Sequence, residues 1–185
     1  MNYHNITYPD QNNGDGLRIV LWVAGCEHHC TNCQNQQTWS PQSGIPFDKN
    51  AMNEILNELK KDYISGITFS GGDPLHPKNV QNVLKIVDEI RVSYPTKNIW
   101  LYTGYTWEEI WIKDNIKTGD KIQDMRGKAI KNLRRQVVRM CDVLVDGRYV
   151  DELRDVSLHW RGSSNQRVIN VQETLKQNQI VLWES

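Results

Sequence analysis

RIVLWVAGCEHHCTNC, residues Arg18 to Cys33, is the stretch whose reading decides the fold. Its first seven residues, Arg18 to Ala24, are a short β-rich run, too continuous for a strand with one face in water. They read as a buried strand of a covered sheet. Directly behind it, Cys26, Cys30 and Cys33 fall within eight residues. The longest apolar run, Ile19 to Ala24, is far short of the roughly 20 residues that span a bilayer. Met1 to Asn13 is polar, without the apolar core of a signal segment. The expected address is therefore cytoplasmic, with no membrane partner. In a reducing compartment, clustered cysteines point to metal rather than to disulfides.

Moving outward, Asp48 can cap a helix whose apolar positions Met52, Ile55, Leu56, Leu59 and Tyr63 recur at helical spacing. Gly66 releases the chain into a strand at Ile67 to Ser70, ended by Gly71-Gly72-Asp73-Pro74. A second helix from about Pro77 turns Val80, Val83, Leu84, Val87 and Ile90 inward. Pro95 stops it before a strand at Asn98 to Tyr102, closed by Thr103-Gly104-Tyr105. Thr106 and Glu109 have the spacing of a capping box. The charged stretch Lys113 to Asp124 is expected to contain a loop. A helix near Gly127 to Met140 should bury Ile130, Leu133 and Val137, and a fourth strand is expected at Asp142 to Asp146, left through Gly147-Arg148-Tyr149. Beyond Val168 there is no clear pattern except the apolar Ile180 to Trp183, so residues 1–185 read as one domain with a tail after about 168. Alternating strands and helices imply β-α-β units and a mostly parallel sheet, in which ligands bind at the carboxyl ends of strands. The cysteine loop and the three later strand ends are thus expected to frame one pocket.

Three thiolates leave one iron of an iron–sulfur cube without a protein ligand, which is the mark of a reactive centre. The C-x3-C-x2-C spacing after the first strand and the Gly71-Gly72-Asp73-Pro74 segment after the second resemble the radical S-adenosylmethionine superfamily. The segments Gly14 to Arg18, Asp73 to Pro77, Trp100 to Tyr105, Val145 to Arg148 and Trp160 to Gln166 are similar to the small glycyl-radical activases of anaerobic ribonucleoside-triphosphate reductase. The resemblance runs to about Arg167. It implies a [4Fe-4S] cluster on Cys26, Cys30 and Cys33, and S-adenosyl-L-methionine held by Asn32, Cys33, Gln34, Gly71, Gly72 and Asp73. The cofactors carry the chemistry, with no acid–base residues required. It also implies the reductase as protein substrate, whose glycine Cα yields a hydrogen, and an electron donor such as a flavodoxin or ferredoxin. Asn32 stands where the superfamily often has an aromatic residue, so adenine is expected to meet mostly backbone there. Asp15 stands at the activases' usual proline place. Because 185 residues are too few for an eight-fold barrel of roughly 250, the expected α/β fold is a partial, open (β/α) barrel of radical S-adenosylmethionine type, its open side suited to a protein substrate.

Rival readings stay in view. The alternatives are an activase of another glycyl-radical enzyme such as pyruvate formate-lyase, and a zinc-stabilised interaction module using His28 or His29 with the three cysteines. A redox dithiol at Cys30 and Cys33 would leave Cys26 without a role. His28 and His29 are expected to face solvent or a partner, Cys141 to lie in the core, and His76 to serve a cap or loop. Trp160 and Trp183 should be packing residues. With 38% apolar residues and seven tryptophans the chain can build a core, and with 22 basic against 22 acidic residues it carries no overall field toward nucleic acid. Arg126, Lys128, Lys131, Arg134, Arg135 and Arg139 occur without an intervening acid. They read first as a solvated helix face and second as a docking surface for an acidic patch. Nucleic acid is disfavoured because no aromatic residue interleaves with them.

Overall fold

The computed structural model describes residues 1–111 and 120–184. Strand β1 (Asn2–Asp10) precedes β2 (Arg18–Val23), in which every residue is buried except the half-buried Trp22. There follow β3 (Ile45–Pro46), α1 (Lys49–Leu59), β4 (Gly66–Gly71), α2 (Val80–Ser93), β5 (Asn98–Tyr102), α3 (Trp107–Trp111), α4 (Lys121–Arg139), β6 (Val143–Asp146), β7 (Arg167–Asn170) and α5 (Val171–Gln177). Asp48 caps α1, accepting from the amides of Asn50 and Ala51 at 2.9 and 3.0 Å. The capping box opening α3 closes in both directions: Thr106 N donates to Glu109 Oε2 at 2.8 Å, and Glu109 N to Thr106 Oγ1 at 3.2 Å.

The strands form one seven-stranded sheet in the order β3-β1-β2-β4-β5-β6-β7. Its centre is parallel: β2 with β4, β4 with β5, β5 with β6. Its margins are antiparallel, β1 with both β2 and β3, and β6 with β7. The sheet is therefore mixed rather than mostly parallel, because the polar N-terminus and the segment around Val168 are strands after all. Both marginal strands hide from sequence patterning. In β1 only Tyr3 and Ile6 are buried, and β7 has four residues, of which Val168 and Ile169 are buried. The segment after Val168 completes β7 and then forms α5, where Val171 is fully buried.

Two further expectations are corrected. Helix α4 begins at Lys121, not near Gly127, because Asp120 caps it, accepting from Ile122 N at 2.8 Å. Its first turns lie open to solvent and so carry no apolar period. The expected loop at Lys113 to Asp124 is thus helical from Lys121, and residues 113–119 lie outside the described residues. Tyr63 sits beyond α1, 57% exposed, since the helix ends at Leu59.

One core joins Ile19, Leu21, Ile67, Phe69, Ile99, Leu101 and Leu144 of the sheet to Ile55, Val83, Val87, Ile90, Val137 and Val138 of the helices. A second cluster holds Trp100, Val143, Val145 and Val168, with Tyr102, Trp160 and Trp183 packed on it. The ring of Trp100 meets those of Trp160 and Trp183 edge-on at 5.0 and 5.6 Å. At the amino ends of the strands Arg18 is fully buried, and burial lowers its pKa to about 10. It survives there by donating to Thr68 Oγ1 at 2.8 Å, Asp15 O at 2.7 Å, Asn98 Oδ1 at 2.6 Å and Ile67 O at 2.9 Å. Among the described residues no helix is long and apolar enough to cross a membrane.

Candidate functional site

The chain leaves β2 into a loop pinned by its own backbone: Gly25 N donates to Thr38 O at 2.6 Å and Cys26 N to Trp39 O at 3.0 Å. The buried Asn79 amide bonds both Ala24 O and Asp73 O, tying this exit to that of β4. Cys26, Cys30 and Cys33 are free thiols, each half-buried. Burial pushes the Cys26 thiol up to about 11 and also raises Cys30. Backbone amides oppose this by pointing at the sulfurs, those of His28 and His29 at Cys26 and that of Tyr149 at Cys30. Asn35 N donates to Cys33 Sγ at 3.4 Å. Among the described residues no three Cys, His, Asp or Glu side chains converge as ligands of one metal ion. A cube binds each thiolate to a separate iron, so three sulfurs strung along a loop with amide donors aimed at them fit it better than a single zinc.

Beside Cys33 opens a cleft of about 560 Å³, lined by Trp22, Ser70 and Tyr102 from strands β2, β4 and β5, by Gln34 and Asn35 of the cysteine loop, and by Tyr149, Arg154, Leu158, Trp160 and Arg161 of the β6–β7 loop. Its volume falls in the range of small-molecule sites. Of the six residues expected to hold a cofactor, Cys33 and Gln34 line this cleft. Asn32, left-handed at φ 54°, turns its amide to Asp151 Oδ2 at 2.6 Å. Gly71 and Gly72 close against the β2 exit: Gly72 N donates to Val23 O at 2.8 Å. Asp73 is buried, and its carboxylate accepts from Leu75 N at 2.8 Å, Thr103 Oγ1 at 2.9 Å, Gly104 N at 3.0 Å and His28 Nε2 at 2.7 Å.

His28 thus departs from expectation, its side chain only 4% exposed, whereas His29 is exposed and stacks on Trp39 at 4.6 Å. Tyr105 meets His28 edge-on at 4.6 Å and donates its hydroxyl to Glu27. Arg134 covers the Tyr105 ring at 3.7 Å and donates to Leu75 O at 2.8 Å. Residue spacing could not reveal these partners, which lie tens of residues apart. The only sequence signal was that Asp73, Tyr105 and Arg148 all stand at strand ends.

Residues 12–169 match the family model described as a 4Fe-4S single cluster domain, which covers the whole cysteine loop. The chain is 44% identical over 170 residues, 91% of its length and 97% of the relative's, to the anaerobic ribonucleoside-triphosphate reductase-activating protein of Escherichia coli K12. The proteins of that name from Haemophilus influenzae and enterobacteria phage T4 are 40% and 38% identical, over 90% and 91% of this chain and 96% and 93% of their own. The chain belongs to this family of reductase-activating proteins. Membership of the activating-protein family and the 4Fe-4S domain support an iron–sulfur cluster, and the zinc module recedes.

Proposed function

We propose that this chain activates anaerobic ribonucleoside-triphosphate reductase, using a [4Fe-4S] cluster on Cys26, Cys30 and Cys33 and S-adenosyl-L-methionine in the cleft beside them. The observation that carries the reading is the adjacency of the three-thiol loop and a nucleoside-sized cleft across the carboxyl ends of β2, β4 and β5. Cys26, Cys30 and Cys33 would hold the cluster, which would supply one-electron reduction to S-adenosyl-L-methionine and so the means of removing a hydrogen from a glycine Cα of the reductase. The chain's own residues bind and aim. Trp22, Tyr102, Tyr149 and Trp160 give the cleft aromatic walls for a base, while Arg154 and Arg161 offer cations to a carboxylate. Gln34 and Asn35 line the cleft, and the Asn35 amide donates to Cys33 Sγ. The reading extends to the fold: core-packed helices on one face of the sheet and a cleft on the other support a partial, open (β/α) barrel whose mouth admits a polypeptide. The electron would come from a flavodoxin or ferredoxin, in the cytoplasm.

The test is anaerobic. Reduced, cluster-loaded protein, S-adenosyl-L-methionine and reductase carrying glycine deuterated at Cα should yield a glycyl radical and deuterium in 5′-deoxyadenosine, both lost when the reacting glycine is replaced by alanine. A radical on pyruvate formate-lyase but never on the reductase would transfer the assignment to that partner. Rapid cofactor cleavage with neither partner responding would defeat the substrate assignment alone.

A further inference from the structure

The four strand-end motifs share one side chain. His28 Nε2 bonds Asp73 at 2.7 Å, and Nδ1 receives Arg148 Nε at 3.1 Å, which assigns the ring proton to Nε2. Asp73 in turn binds Thr103 and Gly104. Gly104 is glycine for the same reason: a Cβ there would sit 2.3 Å from His28 Cδ2 and 2.6 Å from Nε2. Arg148 also pairs with Glu109 at 3.3 Å, fastening its far end to α3. The Gly-Gly-Asp-Pro, Thr-Gly-Tyr and Asp-Gly-Arg segments therefore converge on a histidine that lies inside the cysteine loop, between Cys26 and Cys30.

We infer that His28 is the positioning residue of the site, the key by which the β4, β5 and β6 exits hold the cysteine loop in its working shape. It acts through hydrogen bonds at both ring nitrogens, not through packing alone, and it stands outside the lining of the cleft beside Cys33. The inference rests on the proposed function only in taking Cys26, Cys30 and Cys33 as the ligand set. Gln at position 28 can still donate to Asp73 from its amide. Phe fills the space and bonds nothing. Ala does neither.

Thiol alkylation of the full-length, cluster-free protein reads the loop directly, with the fully buried Cys141 as internal gauge. Loss of buried hydrogen bonds raises local opening, so His28→Ala and His28→Phe should alkylate at Cys26 and Cys30 about tenfold faster than the parent, while His28→Gln stays within about threefold. After anaerobic reconstitution, the electron paramagnetic resonance of the reduced cluster should change in the Ala and Phe variants and return with Gln. Parental alkylation in His28→Ala, or rescue by Phe and not by Gln, overturns the inference. Should His28→Ala fail to fold, Arg148→Ala removes the donor to Nδ1 from a half-exposed position and should show a smaller change of the same kind. No change there in either readout also overturns it. Because alkylation needs no cofactor and no reductase, a failed activation assay leaves this result standing.

Discussion

A side-chain carbon at Gly72 would lie 2.6 Å from the Gly25 carbonyl oxygen and 3.0 Å from that residue's nitrogen and carbonyl carbon. Backbone cannot swing aside as a side-chain tip can. The resemblance implies Gly72 as a residue that holds the cofactor, and its missing side chain also leaves room for the Gly25 peptide, one residue from Cys26. Gly72→Ala should therefore act through the cysteine loop, costing about 1–3 kcal/mol by overpacking. It should lower the iron retained per chain, as thermal unfolding and iron assay would show; full iron with weakened S-adenosyl-L-methionine binding by calorimetry would return Gly72 to the cofactor. The cysteines divide just as sharply. Alanine at Cys26, Cys30 or Cys33 should abolish cluster-dependent cofactor cleavage, since each is one of the three protein ligands we propose. Cys141 is fully buried with its thiol bonded to Val137 O at 3.3 Å. Cys141→Ala should cost about 1 kcal/mol and keep a full complement of iron. Iron lost from Cys141→Ala and kept in Cys26→Ala would reverse the ligand assignment.

Helix α4 shows what a run of like charges becomes once folded. Arg134 reaches Leu75 O and Tyr105, Arg135 donates to Ile110 O and Trp111 O at 2.9 and 3.1 Å, and Lys131 is 8% exposed, while Arg126 and Lys128 face solvent. The uniform solvated face expected from sequence is thus split, and reversing Lys131, Arg134 and Arg135 together would damage the fold before it tested docking. Arg134→Glu should lower the unfolding midpoint by placing an acid against Glu27 and the Leu75 carbonyl. Arg126→Glu with Lys128→Glu should leave the unfolding free energy within about 1 kcal/mol of the parent. If reductase association in that pair then slows and loses salt dependence, the exposed end of α4 is a docking surface; unchanged rates make it merely solvated. What could be read from sequence follows the same physics. Strands β2, β5 and β6 were legible because strands buried on both faces are mostly continuous apolar runs, and α1 and α2 because one face meets a core. Strand β1, carrying Asn2, His4, Asn5 and Asp10, gave no such signal. The partners of His28 gave none either, because sequence spacing says nothing about contacts 45 and 120 residues away.

For the molecule as a whole, one guanidinium reinforces the backbone ladder that joins β7 to the sheet. Arg167 binds the buried Asp146 through Nε at 2.9 Å and Glu108 of α3 through Nη1 and Nη2 at 3.0 and 2.8 Å, so strand, neighbouring strand and helix meet at one cation. Arg167→Met would leave Asp146 buried and short of a partner, a loss of about 3 kcal/mol by denaturant titration at pH 7. The hydrogen bond from Arg167 holds the Glu108 carboxyl below its ordinary value of 4.5. That contribution is present above this pH and is lost as pH falls through the depressed folded value, so the gap between parent and variant should narrow in acid. A gap that widens there would assign the stability elsewhere. The parallel centre and the late arrival of Arg148, the donor to His28, carry a further consequence, for the protein as it is being made. At about 5–20 residues per second, on the order of ten seconds separate the synthesis of Cys33 from that of Arg148. Through that interval the nascent chain displays three unsecured thiols to metals and oxidants, so the vulnerable moment of this site falls at the ribosome, before there is a finished protein to protect it.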